Sequence, residues 1–569
     1  MRPKDTGPRD SESGDDNQRD DSKTMNNVSH DGPLLHSCAK RQEKTGGNIQ
    51  KNVFLIAVRF TMFHMFSLRA TASVLTGITI ATAATACSAG YTATPTATNQ
   101  QQDSIVVGTS GPPASLDFTT TGGAAIPSAL MGNVYQTLIQ LDEKGDIVPG
   151  LATSWEMSPD GTVYTFHLRD GVTFSTGEPF TADTAAFSIT NVQENWTNGM
   201  KKGMDVVDHV RVIDPLTLEV TLSHPSNQWL WSMGTLIGAM MHPDHVDKLA
   251  TEPVGTGPYT IDSFAVGQSV ALKENPTYWG EKPHHSHAVI RYFADATSST
   301  NALLSGDIDI LWAAQQPELV SGLVSGGKYN VQVGTTNGEV LLSMNNKRAP
   351  FDDVRVRQAV MYAIDRQAVI DTAWAGYGTD TGGQPVPPTD PWYTEKNYYP
   401  YDPDKARELI REAGAEGAKV EFAVPSFPYA MSASEIIVSQ LRDIGLDAYI
   451  VGTEFPAVWL NKVMGQADYQ MSLIAHVEAR DIPHLFGNPD YYLGYDSEKL
   501  REQLSLADTG TPEENVQYMR DAVDTIMQDA AADTVFNFPN IVVTKPGVTG
   551  FNPNVVTEGL PLADMEADK

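Results

Sequence analysis

The residues best equipped for chemistry lie between His476 and His484. Ser472 to Val477 reads as a strand, and Glu478-Ala479-Arg480-Asp481-Ile482-Pro483 follows it directly. Two carboxylates and a guanidinium at a strand end can hold a charged solute. They can equally satisfy one another, with Asp481 paired to Arg480 or capping a helix. His476 and His484 flank the stretch with imidazoles that suit a metal chelate. A second group, His284, His285 and His287, also has metal-binding composition. Adjacent histidines splay apart on an extended chain, however, which favours a solvated loop after Glu281-Lys282-Pro283. Gly255-Thr256-Gly257-Pro258 lacks the Lys-Ser/Thr that a phosphate-cradling loop needs. No Ser-His-Asp, paired-acid or His-Glu-x-x-His pattern occurs, so a binder is favoured over an enzyme, no cofactor is implied, and a secreted hydrolase is the least favoured class. Trp374, Tyr377, Tyr491, Tyr492 and Tyr495 suit either a ligand cleft or a packed core.

The elements that would carry these residues belong to a long, acidic chain with room for two or more lobes. Its 569 residues exceed one ordinary domain, and 41% of them are hydrophobic. The net charge of −31 repels phosphate and excludes nucleic acid as a natural partner. Residues 1–64 form an extension, polar over residues 1–50, that is disordered or not translated. Met65-Phe-Ser-Leu-Arg and the uncharged run to Ala86 have the layout of a secretory signal, too short and too rich in Ala and Thr for a membrane span. Residues 87–103 are a Ser/Thr/Ala/Pro-rich flexible tether. Cys87 is then the one cysteine of the exported chain, since Cys38 precedes the signal.

Alternation and turn residues lay out the body. Ser104 to Gly108 is a first strand. Trp155 and Met157 end a strand, Ser158-Pro159-Asp160-Gly161 turns the chain, and Tyr164, Phe166 and Leu168 give the next strand one apolar face. Val172 and Phe174 suggest a third strand. Thr181 caps a helix from about Ala182. Val210 to Leu222 reads as a hairpin about Asp214-Pro215. Further on, Asp402-Pro403 opens a helix closed by Gly414, and Lys419 to Val451 forms a strand–helix–strand unit with parallel strands. The last helix covers about Val516 to Ala530, and Asn540 to Thr544 is a closing strand.

The segment Pro149 to Asp183 resembles the signature region of the family 5 extracellular solute-binding proteins, the oligopeptide, dipeptide and nickel binders of ABC importers. It carries Pro-Gly-Leu-Ala-x-Ser-Trp, then Asp-Gly-x-x-Tyr-x-Phe-x-Leu-Arg-x-Gly-Val-x-Phe, then Gly-x-Pro-Phe-x-Ala, with the final Asp183 one place early. Gly255 to Tyr259, Asn275 to Gly280, Ala302 to Asp309 and Met344-Asn345-Asn346 with Pro350 to Ala359 extend the likeness. The resemblance implies an α/β, periplasmic-binding-protein-like fold of two lobes that close by hinge motion on a ligand between them. A β-rich subdomain at about 130–235 would sit inside lobe I (104–288), lobe II would span 289–505, and 506–569 would return to lobe I. It further implies capture of short peptides for a permease and its ATPase subunits, by a monomer. A nickel chelate or haem is the alternative ligand.

Peptide binders of this kind anchor the ammonium on a second-lobe Asp just past a strand. Asp481 is the position that fits, with Glu478 next. His476, Trp374, Tyr377, Tyr492 and Asn345 complete the expected ligand contacts. Ala84-Thr85-Ala86-Cys87 resembles a lipobox with Ala84 in place of a large aliphatic. An acylated Cys87 would hold the protein at the outer face of the cell membrane; ordinary signal cleavage at the same bond would leave it periplasmic or secreted.

Overall fold

The structure, a computed structural model, describes residues 103–567. The 1–64 extension, the 65–86 signal, Cys38, Cys87 and the tether up to residue 102 lie outside the described residues. Among the described residues no helix is long and apolar enough to cross a membrane.

One ten-stranded sheet runs through the molecule. Its order is Asp447–Thr453, Lys419–Pro425, Met471–His476, Asn330–Met344, Ala532–Thr544, Ile310–Leu311, Ser104–Thr109, His287–Tyr292, Ser269–Glu274, Tyr259–Ala265. Two hydrophobic cores sit on it. The first gathers Ile105 to Ile290 and the chain's last residues, including Leu560 and Met565. The second gathers Ala302 to Ile541, with Phe351, Phe422, Trp459 and Ile526 fully buried. These are lobe I and lobe II. Buried residues of the helices Glu498–Thr509 and Pro512–Gln528 belong to the second core. Val542 and, from Val548 on, Leu560, Leu562 and Met565 belong to the first core.

The signature region folds as its turn residues dictate. Ala152–Met157 and Val163–Leu168 pair antiparallel, and Gly161 takes a φ of +71° in the turn between them. They join Thr217–Leu222 and Val207–Asp214 in a separate four-stranded sheet of lobe I. Tyr164, Phe166 and Leu168 face its core. The helix Ala182–Asn195 starts after Thr181, whose N–H donates to Thr184 Oγ1 at 3.0 Å. Val172 and Phe174 are buried but form no strand. The Phe174 and Phe180 N–H groups bond to Glu178 and Val172 across a tight loop, and Pro179 has no N–H with which to extend a ladder.

Two strands, Asn330–Met344 and Ala532–Thr544, cross between the lobes as an antiparallel pair. Sequence alone places the second only at 540–544, because Pro539 reads as a strand breaker. It is tolerated since Thr335, its partner, ends one run of the ladder and pairing resumes at Glu339. Asn537 Nδ2 closes the gap by donating to the carbonyls of Thr336 and Gly338 at 2.8 and 2.9 Å. The helix expected from Val516 begins at Pro512, because Thr511 and Glu514 form a capping box. The 419–453 unit is as expected, with parallel strands joined by the helix Pro428–Asp443.

Candidate functional site between the lobes

Glu339 marks the place where the crossing strands resume pairing. Its backbone lies opposite His476 on one side and Asn537 on the other. Its side chain is only 3% exposed, and Oε2 has no hydrogen-bond partner. A buried carboxylate without a partner costs free energy unless it is protonated or meets a cation. Burial drives the Glu339 pKa well above the usual carboxylate range, and the charges of Asp481 and Asp390 push it further.

The strand Met471–His476 delivers the next residues. Arg480 adopts a left-handed backbone, φ +54°, which is strained for a residue with a Cβ. The turn sends its guanidinium across to lobe I. There it lies 4.3 Å over the ring of Trp231 and 4.8 Å from the ring of Trp392, and its Nε is 3.6 Å from Asp390 Oδ1. Trp231 comes from the lobe I helix Asn227–Ser232, which is fastened to lobe II. Ser226 Oγ donates to Asp508 at 2.9 Å, and Asn227 Nδ2 donates to the carbonyls of Ala507 and Gly510 at 2.9 and 2.8 Å. Gly145, at φ +77°, leaves room beside Arg480 Nη2; a Cβ there would stand 3.8 Å from it. Desolvation lowers the Arg480 pKa to about 10, so it stays cationic at neutral pH.

Asp481 begins the short helix Ile482–Phe486 but makes no side-chain cap. Arg480 turns away to Asp390, so Asp481 is spent neither as a cap nor on its neighbour. Burial, with the charges of Glu478 and Asp390, pushes its pKa well up. Asp390, in the Pro387–Tyr393 turn, is raised to about 6 by burial in spite of Arg480. Glu558 is half-buried. Asn337 Nδ2, donating to Val556 O at 3.1 Å, draws the C-terminal segment towards the site, and Glu558 is raised by burial and by Glu478. Glu478 differs: its side chain is 73% exposed, 3.6 Å from His484 Nδ1, and its pKa is lowered chiefly by its interaction with His484. Glu339, Asp481 and Asp390 thus feel one another's charge, while Arg480 is paired with Asp390, a cluster that favours a solute bringing positive charge. Beyond Arg480 and Trp392 a cavity of about 350 Å³, edged by Asn227, Arg501 and Asp508, continues between the lobes.

The model of the bacterial extracellular solute-binding proteins, family 5 Middle, matches residues 146–493. The chain belongs to that family. The solute-binding protein is 31% identical over 349 residues to the heme-binding protein A of Haemophilus influenzae, a match covering 55% of this chain and 63% of the relative. It is 28% identical to the nickel-binding periplasmic protein of Escherichia coli, over 60% of this chain and 69% of the relative. Its matched part thus spans about two thirds of each relative's length. The fold is shared with the periplasmic binding protein DppA of Helicobacter pylori in complex with the peptide STSA. That likeness has a TM-score of 0.69 and 24% identity, and covers 83% of this chain and all of that one.

The other side chains expected at the site of this solute-binding protein are distributed unevenly. His476 Nε2 is 2.8 Å from Tyr492 OH, and desolvation depresses its pKa to about 4, so it is neutral. Tyr492 is buried, and Tyr491 packs on His484 with centroids 4.8 Å apart. Tyr495 is committed to Asp529 Oδ2 at 2.6 Å. Trp374 is a core residue, edge-on to Phe538 at 4.6 Å, and Tyr377 is half-buried on the same core. Asn345 spends its amide on the carbonyls of Ala467 and Tyr469 at 3.0 and 3.2 Å. It lines a separate depression with Lys347 and Asp490. His285 corrects the solvated-loop reading: it is buried, Nε2 accepts from the Ala567 N–H at 3.2 Å, and Nδ1 lies 3.5 Å from Asp103. Among the described residues no group of three potential ligands could hold a metal.

Sequence reasoning missed Glu339, Asp390, Trp231 and Trp392. Only Glu339 carried a readable signal, as a lone acid opening the apolar run Val340-Leu341-Leu342.

Proposed function

We propose that this protein captures short peptides between its lobes and hands them to the permease of an ABC importer, driven by that importer's ATPase subunits. One observation carries the reading: Glu339 is buried with Oε2 unpartnered and feels the charge of Asp481, while the nearby Arg480 is already matched to Asp390. A peptide's free ammonium supplies the missing cation and keeps Asp481 as the preferred anchor. The family's heme- and nickel-named members keep a chelate in view as the alternative. The histidines that would serve it are engaged, His476 with Tyr492 and His484 with Glu478.

In this reading the protein binds without catalysis, as a monomer, and needs no cofactor. Residues 65–86 direct export, and an acylated Cys87 tethers it to the outer face of the membrane, leaving the body free to meet the permease. Calorimetry with mixed di- to pentapeptides, against their N-acetylated forms and a nickel–histidine complex, tests the assignment. Binding of free peptides alone supports it; binding of the nickel complex alone overturns it.

A further inference from the structure

The charge balance of the interlobe site goes further than one ammonium. Arg480 is matched by Asp390 at 3.6 Å, and Glu478 by His484 at 3.6 Å on the exposed rim. If the α-ammonium of a peptide settles on Asp481, Glu339 remains. It is 3% exposed, Oε2 is unpartnered, and no ion pair joins it to a cationic side chain among the described residues. A ligand with only one cation would close the lobes over an acid that must stay protonated, whereas a second cation would pair with it ionised.

The surroundings of Arg480 want an acceptor. Trp231 and Trp392 are each more than nine-tenths buried, both rings lie against Arg480, and both Nε1 donors are without partners. Arg480 Nε likewise has no hydrogen bond. These donors suit a carboxylate or carbonyl. Arg480 itself, seated against two indole faces, also shows that the pocket accommodates a delocalised cation on aromatic walls.

We propose that the site selects short basic peptides, whose second cationic group, an ammonium or guanidinium, sits on Glu339 while the peptide's carboxylate or carbonyl takes the indole donors. This rests on the peptide-capture reading and narrows it. Glu339 then acts as a specificity residue: it adds attraction for one side-chain class and leaves a desolvated acid facing every other.

Calorimetry on the full body with the dipeptides Lys-Ala and Ala-Ala, and with putrescine, is the test. Lys-Ala is expected to bind at least about tenfold more tightly than Ala-Ala, and more tightly than putrescine, which offers two ammonium groups but no acceptor. Glu339→Gln is expected to bring the Lys-Ala to Ala-Ala ratio below about threefold. Equal affinity of the wild type for the two dipeptides overturns the proposal and leaves peptide capture standing. Putrescine binding more tightly than either dipeptide overturns both, as does a failure of all three to bind. The wild-type comparison decides the matter even if Glu339→Gln does not fold.

Discussion

The guanidinium of Arg480 lies 4.3 Å over the indole of Trp231. A side chain of lobe II is thus stacked on a side chain of lobe I, with Asp390 3.6 Å away to hold its charge. Removing it should separate what the stack joins. Arg480→Ala is expected to lower stability by about 3 kcal/mol, since breaking a largely buried ion pair leaves Asp390 uncompensated and the cation–π contact is lost as well. Adding Asp390→Asn should recover about half of that. Chemical denaturation of the two single variants and the double variant measures the coupling; strictly additive losses would show that the pair is not an energetic unit.

Asp481 presents the opposite case, an acid with no ion pair to a cationic side chain among the described residues. Asp481→Asn is expected to weaken free-amine peptides by about 2–5 kcal/mol, or roughly 30-fold to several thousand-fold. The melting temperature of the empty protein should stay level or rise, because an uncompensated acid is removed. Calorimetry and a thermal scan read the two effects separately. A large fall in melting temperature would make Asp481 a structural residue.

The raised acids make binding pH-dependent. Asp390, at about 6 instead of 3.8, favours the empty fold fully below pH 3.8 and withdraws that contribution as pH rises through about 6; Glu339, Asp481 and Glu558 are shifted in the same direction. A cationic ligand needs these groups ionised. Arg480 stays charged and His476 neutral throughout, while Glu478 and His484 face the rim. Affinity for a basic dipeptide is therefore expected to rise at least about threefold from pH 5 to pH 7.5, with protons released on binding. Calorimetry in two buffers of different ionisation enthalpy counts them. Flat affinity across this range would show that the acids are already ionised in the empty protein.

A control lies deep in lobe II. Arg366 donates to Asp533 Oδ1 at 2.7 Å, with 3% and 0% of their side chains exposed. Arg366→Leu is expected to cost about 3–5 kcal/mol, because Asp533 loses the cation it is paired with. The same change in the Asp533→Asn background should cost distinctly less. Equilibrium unfolding of the single and double variants decides.

Cys87→Ser should move the protein from the membrane fraction to the soluble fraction without changing its melting temperature, since two acyl chains give stable anchoring and the body folds apart from them. Fractionation of cells checks this, and an unmodified Cys87 thiol in the wild type would count against the anchor.

Local signals in the sequence sufficed where neighbours in the chain settle the structure. Ser158 to Gly161, Thr181 with Thr184, and Asp402-Pro403 with Gly414 encode their turns and caps within a few residues, and the structure has them there. Asp481 could be singled out because it follows a strand. What surrounds it could not be read, since Glu339, Asp390 and Trp231 come from segments 90 to 250 residues away and meet only in the fold. Pro539 misled for a similar reason: whether it breaks a strand depends on its partner Thr335, at the edge of a gap in the ladder. Asn345 and Trp374 had ligand-like chemistry and neighbours that use it internally.

The interruption of the crossing strands between Thr335 and Glu339 has a dynamic consequence. A pair of strands bends most easily where its ladder is open, so the fulcrum of lobe rotation falls beside Glu339. Points close to a fulcrum travel little. If the lobes turn about that point, Glu339 and Asn537 would keep their place while Trp231 would move with lobe I. Charge is tested first and enclosure follows. Changes at Glu339 should register in the rate of capture, and changes at Trp231 in how long the solute stays.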